Sequence, residues 1–412
     1  MNKLMQNLRK RPDLFLFFAL ISFHALGNGF SDAIYPNYYK DVYNVTAQQR
    51  AFIEFPRELP GLLCSVIIAA LSMLGDLRLS ILAQALALGG LTALGLFTPS
   101  FGFMLVLLFI NSLGMHLFMP LSDSIGMALA EPKLMGKRVG QYASVRTACA
   151  FASGLLIFFG FRSGVLTFAG NIRPVFLIGA GFFLLALVVS IALKKTAQAH
   201  FPAKKQRLRL LFRKEYRYYY LLSVMSGVQK QIAYVYGSWV VIDLLRKGTD
   251  VMSLLTIVAS FIGILFYRQI GRWLDRFGVR KLMLGSALAF IGVYILYGMV
   301  VWSVVDSLIP SGTLQVMLVY IMFVMDRMSM QSMIIKSVYL RNIALSPDEI
   351  TPALSTGVSL DHLVSILAAQ LCGLIWTYMG PQYVFFFAAL CSLGNLYAAL
   401  RVNDPKSPVG TA

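Results

Sequence analysis

Apolar residues run through this chain in long blocks. Twelve blocks stand out, at 14–35, 52–73, 79–98, 101–130, 137–160, 172–193, 217–243, 250–269, 281–304, 313–343, 351–379 and 381–400. Each is long enough for a helix to cross a bilayer core, which takes about 20 mostly apolar residues. The period-two alternation of barrel strands is absent, so the blocks predict helices. The first block starts directly behind Lys3, Arg9, Lys10 and Arg11 with no small-residue cleavage site, which predicts an uncleaved first helix.

Composition supports this pattern. Of 412 residues, 58% are hydrophobic and 13% charged, and the mean hydropathy is +0.71. A soluble enzyme of this length has no means of hiding so much apolar surface, and a disordered chain carries far less of it. The four cysteines (Cys64, Cys149, Cys372, Cys391) lie in apolar blocks and do not form a disulfide scaffold. The net charge of +18 would suggest nucleic acid in a soluble protein. Here 25 of the 36 lysines and arginines fall on one side of the twelve blocks and six on the other. That bias predicts both termini in the cytoplasm of a multi-pass protein in the plasma (inner) membrane, with the lipid bilayer as its partner and no nucleic acid. Nine of the 25 sit in one central loop, a topogenic linker that also suits anionic lipid.

That loop separates six blocks from six. The expected organisation is a six-helix bundle over 1–193, a basic linker over 194–216, a second bundle over 217–403 and a tail over 404–412. Such halves suggest internal repeats. Asp76 and Asp275 each close an equivalent block. Asp123-Ser124-Ile125 lies over Lys336-Ser337-Val338, and Arg146 lies over Asp361. Residues 271–281 read Gly-Arg-Trp-Leu-Asp-Arg-Phe-Gly-Val-Arg-Lys. This resembles the loop signature of the major facilitator superfamily between its spans 8 and 9, with matches at Gly271, Asp275, Arg276, Gly278, Arg280 and Lys281. Val279 replaces an arginine, and the copy between spans 2 and 3 keeps only Asp76 and Arg78. The resemblance implies an all-α fold of two pseudosymmetric six-helix bundles and a secondary transporter working by alternating access. Spans 1, 4, 7 and 10 would line its cavity. The family's span 5 antiporter signature, a glycine-proline run, has no proline here.

Polar residues inside apolar helices are costly and become functional candidates by default. Helical spacing gives four stripes. Span 1 aligns His24, Asn28, Ser31 and Tyr35; span 4 aligns Ser112, His116, Asp123 and Met127. Span 7 aligns Ser223, Ser226, Lys230, Tyr234 and Gly237; span 10 aligns Met322, Asp326, Ser329, Met330, Met333, Lys336 and Ser337. The expected substrate and proton site is His24, Asn28, His116, Lys230, Tyr234 and Asp326, with Lys230 and Asp326 pairing and the histidines titrating near neutral pH. A lone membrane histidine is more often a packing residue. Two pseudosymmetric ion pairs, Asp123–Arg146 and Lys336–Asp361, or the same residues paired across the halves, are expected as an inner gate, since buried pairs serve better as switches than as stabilisers. Near the outer surface Asp32, Glu54, Arg57 and Glu58 form an expected outer gate, with prolines 56 and 60 loosening the start of span 2. His362, beside Asp361, is a further proton candidate.

The methionines of span 10 suit Cu(I), but methionine also fills apolar gaps. No phosphate loop, zinc spacing or nucleophile motif stands out. The sequence therefore predicts a monomeric, non-enzymatic, proton-coupled transporter of a small polar solute, anionic or zwitterionic, with no cofactor and no metal. Two alternatives compete with it, an exporter of amphipathic drugs or metabolites and a receptor or scaffold of the same fold that moves nothing.

Overall fold

The computed structural model describes residues 11–130, 135–197, 211–308 and 312–402. Lys3, Arg9, Lys10, Lys133, the basic run at 198–210 and the tail from 403 lie outside the described residues, as does the side chain of Asp275. Among the described residues there is no strand, and twelve helices follow one another. They are α1 (Pro12–Tyr43), α2 (Ala47–Ala70), α3 (Asp76–Phe97), α4 (Phe101–Leu129), α5 (Met135–Arg162) and α6 (Arg173–Ala197). Then come α7 (217–244), α8 (Thr249–Leu274), α9 (Arg276–Val305), α10 (Thr313–Ile343), α11 (Pro347–Tyr378) and α12 (Pro381–Arg401). This is the predicted all-α polytopic architecture.

Local chemistry sets the helix ends. Pro12 opens α1, where its missing N–H costs nothing. Asn44 closes the helix in the left-handed conformation and returns its N–H to Lys40 O at 2.9 Å. At 32 residues α1 is about 48 Å long, well beyond the hydrocarbon thickness. Prolines 56 and 60 do not loosen α2, which runs unbroken through both.

Ten helices are long and apolar enough to cross a membrane on length and composition alone. The other two are α2 and α7. Helix α2 holds Arg50, Glu54, Arg57 and Glu58 within its first half. Helix α7 is not the regular helix that the sequence predicts. It is α-helical over Arg217–Gln231 and π-helical over Ile232–Tyr236 and again over Val240–Leu244. Helix α10 also breaks, at Ser332 and Met333, where the bonds tighten to the preceding third residue.

The described residues form two compact units. One contains residues 1–44 and 59–208, the other 45–58 and 209–412. In the first, α1 packs on α5 and α6, and α3 packs on α4 and α6. In the second, α7 packs on α11 and α12, and the α8–α9 segment packs on α10 and α12. Adding six to each helix number converts the first pattern into the second, as an internal repeat requires. Each unit has its own apolar core. Phe17, Leu117, Phe118 and Leu121 belong to the first, and Tyr216, Tyr219, Ile270 and Leu340 to the second.

The end of the linker is fastened to the second unit. Tyr216 donates to Glu349 at 2.6 Å, Arg213 pairs with the same carboxylate at 2.6 Å, and Leu211 N bonds Thr356 at 2.9 Å. Burial, reinforced by Glu349, pushes the Tyr216 hydroxyl above the ordinary phenol range.

The repeat has a different register at its loops from the one the aspartates suggest. The α8–α9 turn is made at Gly278 (φ 79°, ψ 169°) and the α2–α3 turn at Gly75 (φ 75°, ψ 159°). Equating the two glycines places Ser72 opposite Asp275 and Asp76 opposite Val279. Asp76 does not close α2; it opens α3 and accepts Ser124 Oγ at 2.5 Å. The backbone required at Gly278 is accessible to glycine almost alone. Gly278→Ala is expected to cost about 1–3 kcal/mol and to lower the unfolding temperature of the purified protein in detergent. Gly271→Ala is the control. It sits in the same motif but in a helix, and an added methyl there meets open space, so its unfolding temperature should not fall.

Candidate functional site

Among the described residues of the second unit, the densest charge cluster is built around Lys230, on the last α-helical turn of α7 before the first π segment. Its Nζ donates to Glu58 Oε2 of α2 and to Asp361 Oδ2 of α11, both at 2.8 Å. His362 Nδ1 lies 2.6 Å from the same Glu58 oxygen, so that ring nitrogen is the donor. All four side chains are largely buried, none more than 22% exposed. With a neutral imidazole the formal charges sum to minus one; a proton on His362 brings them to zero. One turn before Lys230, Ser226 accepts Lys336 Nζ at 2.8 Å. The helices approach closely here. A Cβ on Gly227 would stand 2.6 Å from Asp361 O, and Ser365 donates to Gly227 O at 3.2 Å.

Glu58 belongs to the stretch of α2 that groups with this unit, and other contacts hold the same stretch. Gln370 of α11 donates to Ala51 O at 2.8 Å, and a Cβ on Gly373 would lie 2.6 Å from Ala51 Cβ. Glu54 is buried and accepts Arg50 at 2.5 Å and Arg57 at 2.8 Å.

Two expected pairings change. Lys230 does not pair with Asp326, and Lys336 does not pair with Asp361. Asp361 and Glu58 take Lys230, and Lys336 goes to Ser226. Spacing along one helix gives the face but not the partner across it. Asp326 is 1% exposed and turns towards α9, where Tyr294 and Tyr297 stand beside it. Its neighbour Arg327 faces elsewhere, stacking 4.0 Å over the exposed ring of Tyr234 and donating to Ser238 at 3.2 Å.

In the first unit Arg146 pairs with Asp123 at 2.9 Å, as the spacing predicts. The pair is not buried, because Asp123 is 61% exposed. His24 is buried and donates to Gln84 Oε1 at 3.0 Å, with its ring 4.2 Å from Phe118. His116 bonds within its own helix, to Ser112 O at 2.9 Å. Tyr35, on the same stripe as His24, donates to Asn111 at 2.8 Å, and Asn111 donates to Ala87 O at 2.8 Å. Asn28 donates to Asp32 at 3.2 Å in an exposed pair. In the first unit His24 and Tyr35 thus make buried bonds to the amides of Gln84 and Asn111, while Asn28 and His116 bond locally within their own helices.

Sequence reasoning passed over Gln84, Asn111 and Arg50. The rule that flagged the stripes, a polar residue inside an apolar helix, also applies to Gln84 and Asn111. Arg50 precedes the apolar block at 52–73, so the pattern leaves it outside that block, yet it is 1% exposed.

The sequence profile of the Major Facilitator Superfamily matches residues 16–343. No curated protein matches the chain. Solved structures resemble it over nearly its whole length. The nucleoside transporter NupG superimposes with a TM-score of 0.74 at 14% identity, covering 94% of this chain and 99% of that one. A POT family transporter in complex with a thioalcohol-conjugated peptide gives 0.71 at 12% identity, covering 94% of each chain. A D-xylose-proton symporter gives 0.68 at 16% identity, covering 95% of this chain and 98% of that one. At these identities the structures establish the fold. The chain belongs to the Major Facilitator Superfamily, as a multi-pass membrane protein with the twelve-helix fold of that family's transporters.

Proposed function

We propose that this protein is a proton-coupled secondary transporter of a small zwitterionic or anionic solute, working by alternating access as a monomer in the plasma membrane, with both termini in the cytoplasm. The observation that carries the reading is the Lys230 network. A buried ammonium between two carboxylates is a poor stabiliser, since hydrophobic replacements of similar shape often do as well. It is a good exchange point. A solute carboxylate can take Lys230 while a solute ammonium takes Asp361 or Glu58, so every charge stays paired through the swap. A neutral sugar offers no such exchange. The structural neighbours are named for nucleoside, peptide and D-xylose transport; a peptide-like zwitterion is the one whose charges match both signs here.

Glu58 gives the exchange a mechanical consequence. When Lys230 leaves Glu58, the first half of α2 loses its charged tie to α7, and His362 is left to share the carboxylate or take a proton. The proposed cycle uses this release as its gate. Asp123–Arg146, exposed and salt-accessible, acts as a separate gate on α4 and α5.

Uptake into proteoliposomes from a panel of labelled dipeptides, amino acids, nucleosides and pentoses tests the reading, with and without an inward proton gradient. The expected result is gradient-driven uptake of a zwitterionic or anionic member. Uptake confined to neutral sugars, or to hydrophobic cations, would overturn the substrate class.

Lys230→Met should abolish that uptake. It should also destabilise the protein by about 3–5 kcal/mol, the cost of leaving a buried partner uncompensated. Adding Glu58→Gln and Asp361→Asn should return much of the stability without the uptake, as read by thermal unfolding in detergent. For the other gate, Asp123→Arg and Arg146→Asp should each reduce uptake, and the double exchange should recover part of it. A double variant no better than the singles would remove the pairing from the mechanism.

A further inference from the structure

Lys336 stands beside the Lys230 network, yet no contact neutralises it. Its Nζ donates to Ser226 Oγ at 2.8 Å and makes no ion pair with any described residue. Asp361, a carboxylate whose field reaches it, is bound to Lys230 at 2.8 Å. The network, formally minus one, thus balances this ammonium from a distance. The remaining N–H groups of Lys336 have no acceptor among the described residues.

The same residue lines a cavity inside the second unit. The cavity lies between α7, α9, α10 and α12, where α10 breaks at Ser332 and Met333. Its polar lining is Ser286, Ser332, Lys336 and Asn395, and its apolar walls include Leu222 and Phe290. Two of these helices, α9 and α12, lie outside the set that the family resemblance places around the transport cavity.

The hydrogen bonds of the lining decide which groups are left to bind an occupant. Ser332 donates to Ser329 O at 2.7 Å, so Ser286 is the donor of the 2.5 Å bond between the two hydroxyls. Both hydroxyl hydrogens are spent. Asn395 is 7% exposed, and its amide makes no hydrogen bond with any described residue. A buried amide without a partner is costly and calls for an explanation. The unspent groups on the lining are therefore this amide and the Lys336 ammonium.

That pair selects the chemistry of a ligand. The ammonium is a donor only, and the amide adds two more N–H groups, so the ligand is an anion. The cavity encloses about 30 Å³, room for about two particles of water size. A dipeptide or an acyl chain is too large for it. Apolar walls disfavour a divalent anion, because the cost of desolvation rises with charge. A monovalent anion little larger than water fits.

We infer that this cavity is a chloride-type site, in which Lys336 and Asn395 hold a small monovalent anion beside the break of α10. The site goes beyond the transport reading and does not rest on it. Lys336 lies in the first turn after the break, so a bound anion neutralises the ammonium and fixes that turn from the α12 side, while Ser226 holds it from α7.

The test uses the purified full-length protein in detergent. Unfolding temperature is measured at fixed pH and fixed Na⁺ while gluconate, too large for the cavity, is exchanged for chloride. Wild type is expected to gain about 2 °C per tenfold rise in chloride once the site begins to fill. Bromide should act as chloride does, and sulfate at the same ionic strength should not. Lys336→Met and Asn395→Leu should each lose the gain. Asn395→Asp keeps the shape of the side chain and sets a fixed negative charge on the cavity lining. It should unfold at a higher temperature than wild type in gluconate and gain nothing from chloride, which a residue needed only for packing would not do. The two Asn395 variants keep the test decisive if Lys336→Met does not fold. A wild type indifferent to chloride would overturn the inference. So would a chloride gain that survives in Asn395→Leu or Asn395→Asp, or one that sulfate reproduces in every variant, since both mark a general salt effect. Failure of the solute panel with an intact, Asn395-dependent chloride response would count against the transport reading and leave the anion site standing.

Discussion

An ammonium group in the middle of a membrane helix has to be neutralised, and in this protein that requirement organises the second unit. Lys230 is held by one carboxylate from α11 and one from α2. The second of these reaches across the sequence order, since α2 belongs to the first six helices of the chain. Its residues 45–58 nonetheless group with helices 7 to 12, and Glu58 is their charged tie. The charges of α2 explain why it is not apolar enough to count as a span on composition, whereas α7 falls short because its α-helical stretch ends after 15 residues at the first π segment.

Much of this was legible in the sequence. The apolar blocks located the helices, and the lysine and arginine bias set an expectation for orientation. The intramembrane charges singled out Lys230, Asp326, Glu58 and Asp361 before any geometry was known. Partners were harder to read. Spacing along one helix assigns a residue to a face of roughly a third of the circumference, and two or three neighbouring helices share that face. The sequence therefore pairs Lys230 with Asp326 and Asp361 with Lys336, whereas the structure gives Asp361 to Lys230. The tilt and rotation that decide come from packing, such as the close approach at Gly227. The π segments of α7 were not legible either, because a single inserted residue per turn leaves no compositional trace.

The repeat shows the same division. The pairing of helices in each unit follows one pattern, while the charges laid on that pattern differ. Asp123–Arg146 forms an exposed pair in the first unit, and its counterparts Lys336 and Asp361 take different partners in the second. The first unit answers its buried polar groups with amides and hydroxyls, as at His24–Gln84 and Tyr35–Asn111. The second answers them with charges. Such an asymmetry suits a protein in which one half supplies a stable frame and the other supplies the groups that exchange partners. Even the loop signature follows this rule, since the glycine turn survives in both copies while the acid does not.

The account stands on the proposal that the first half of α2, tied by Glu58 to Lys230 of α7 and His362 of α11, moves against these helices during transport. The most direct measurement is a reversible cross-link. Ala51→Cys with Gly373→Cys places two thiols on β-carbons, of which the one added at Gly373 would stand 2.6 Å from that of residue 51 on the present backbone, and a shift of about 1 Å brings them to disulfide distance. Uptake is then followed in proteoliposomes with the bond oxidised and after reduction. The account predicts that oxidation stops uptake and that reduction restores it. Full uptake with the cross-link complete would contradict it.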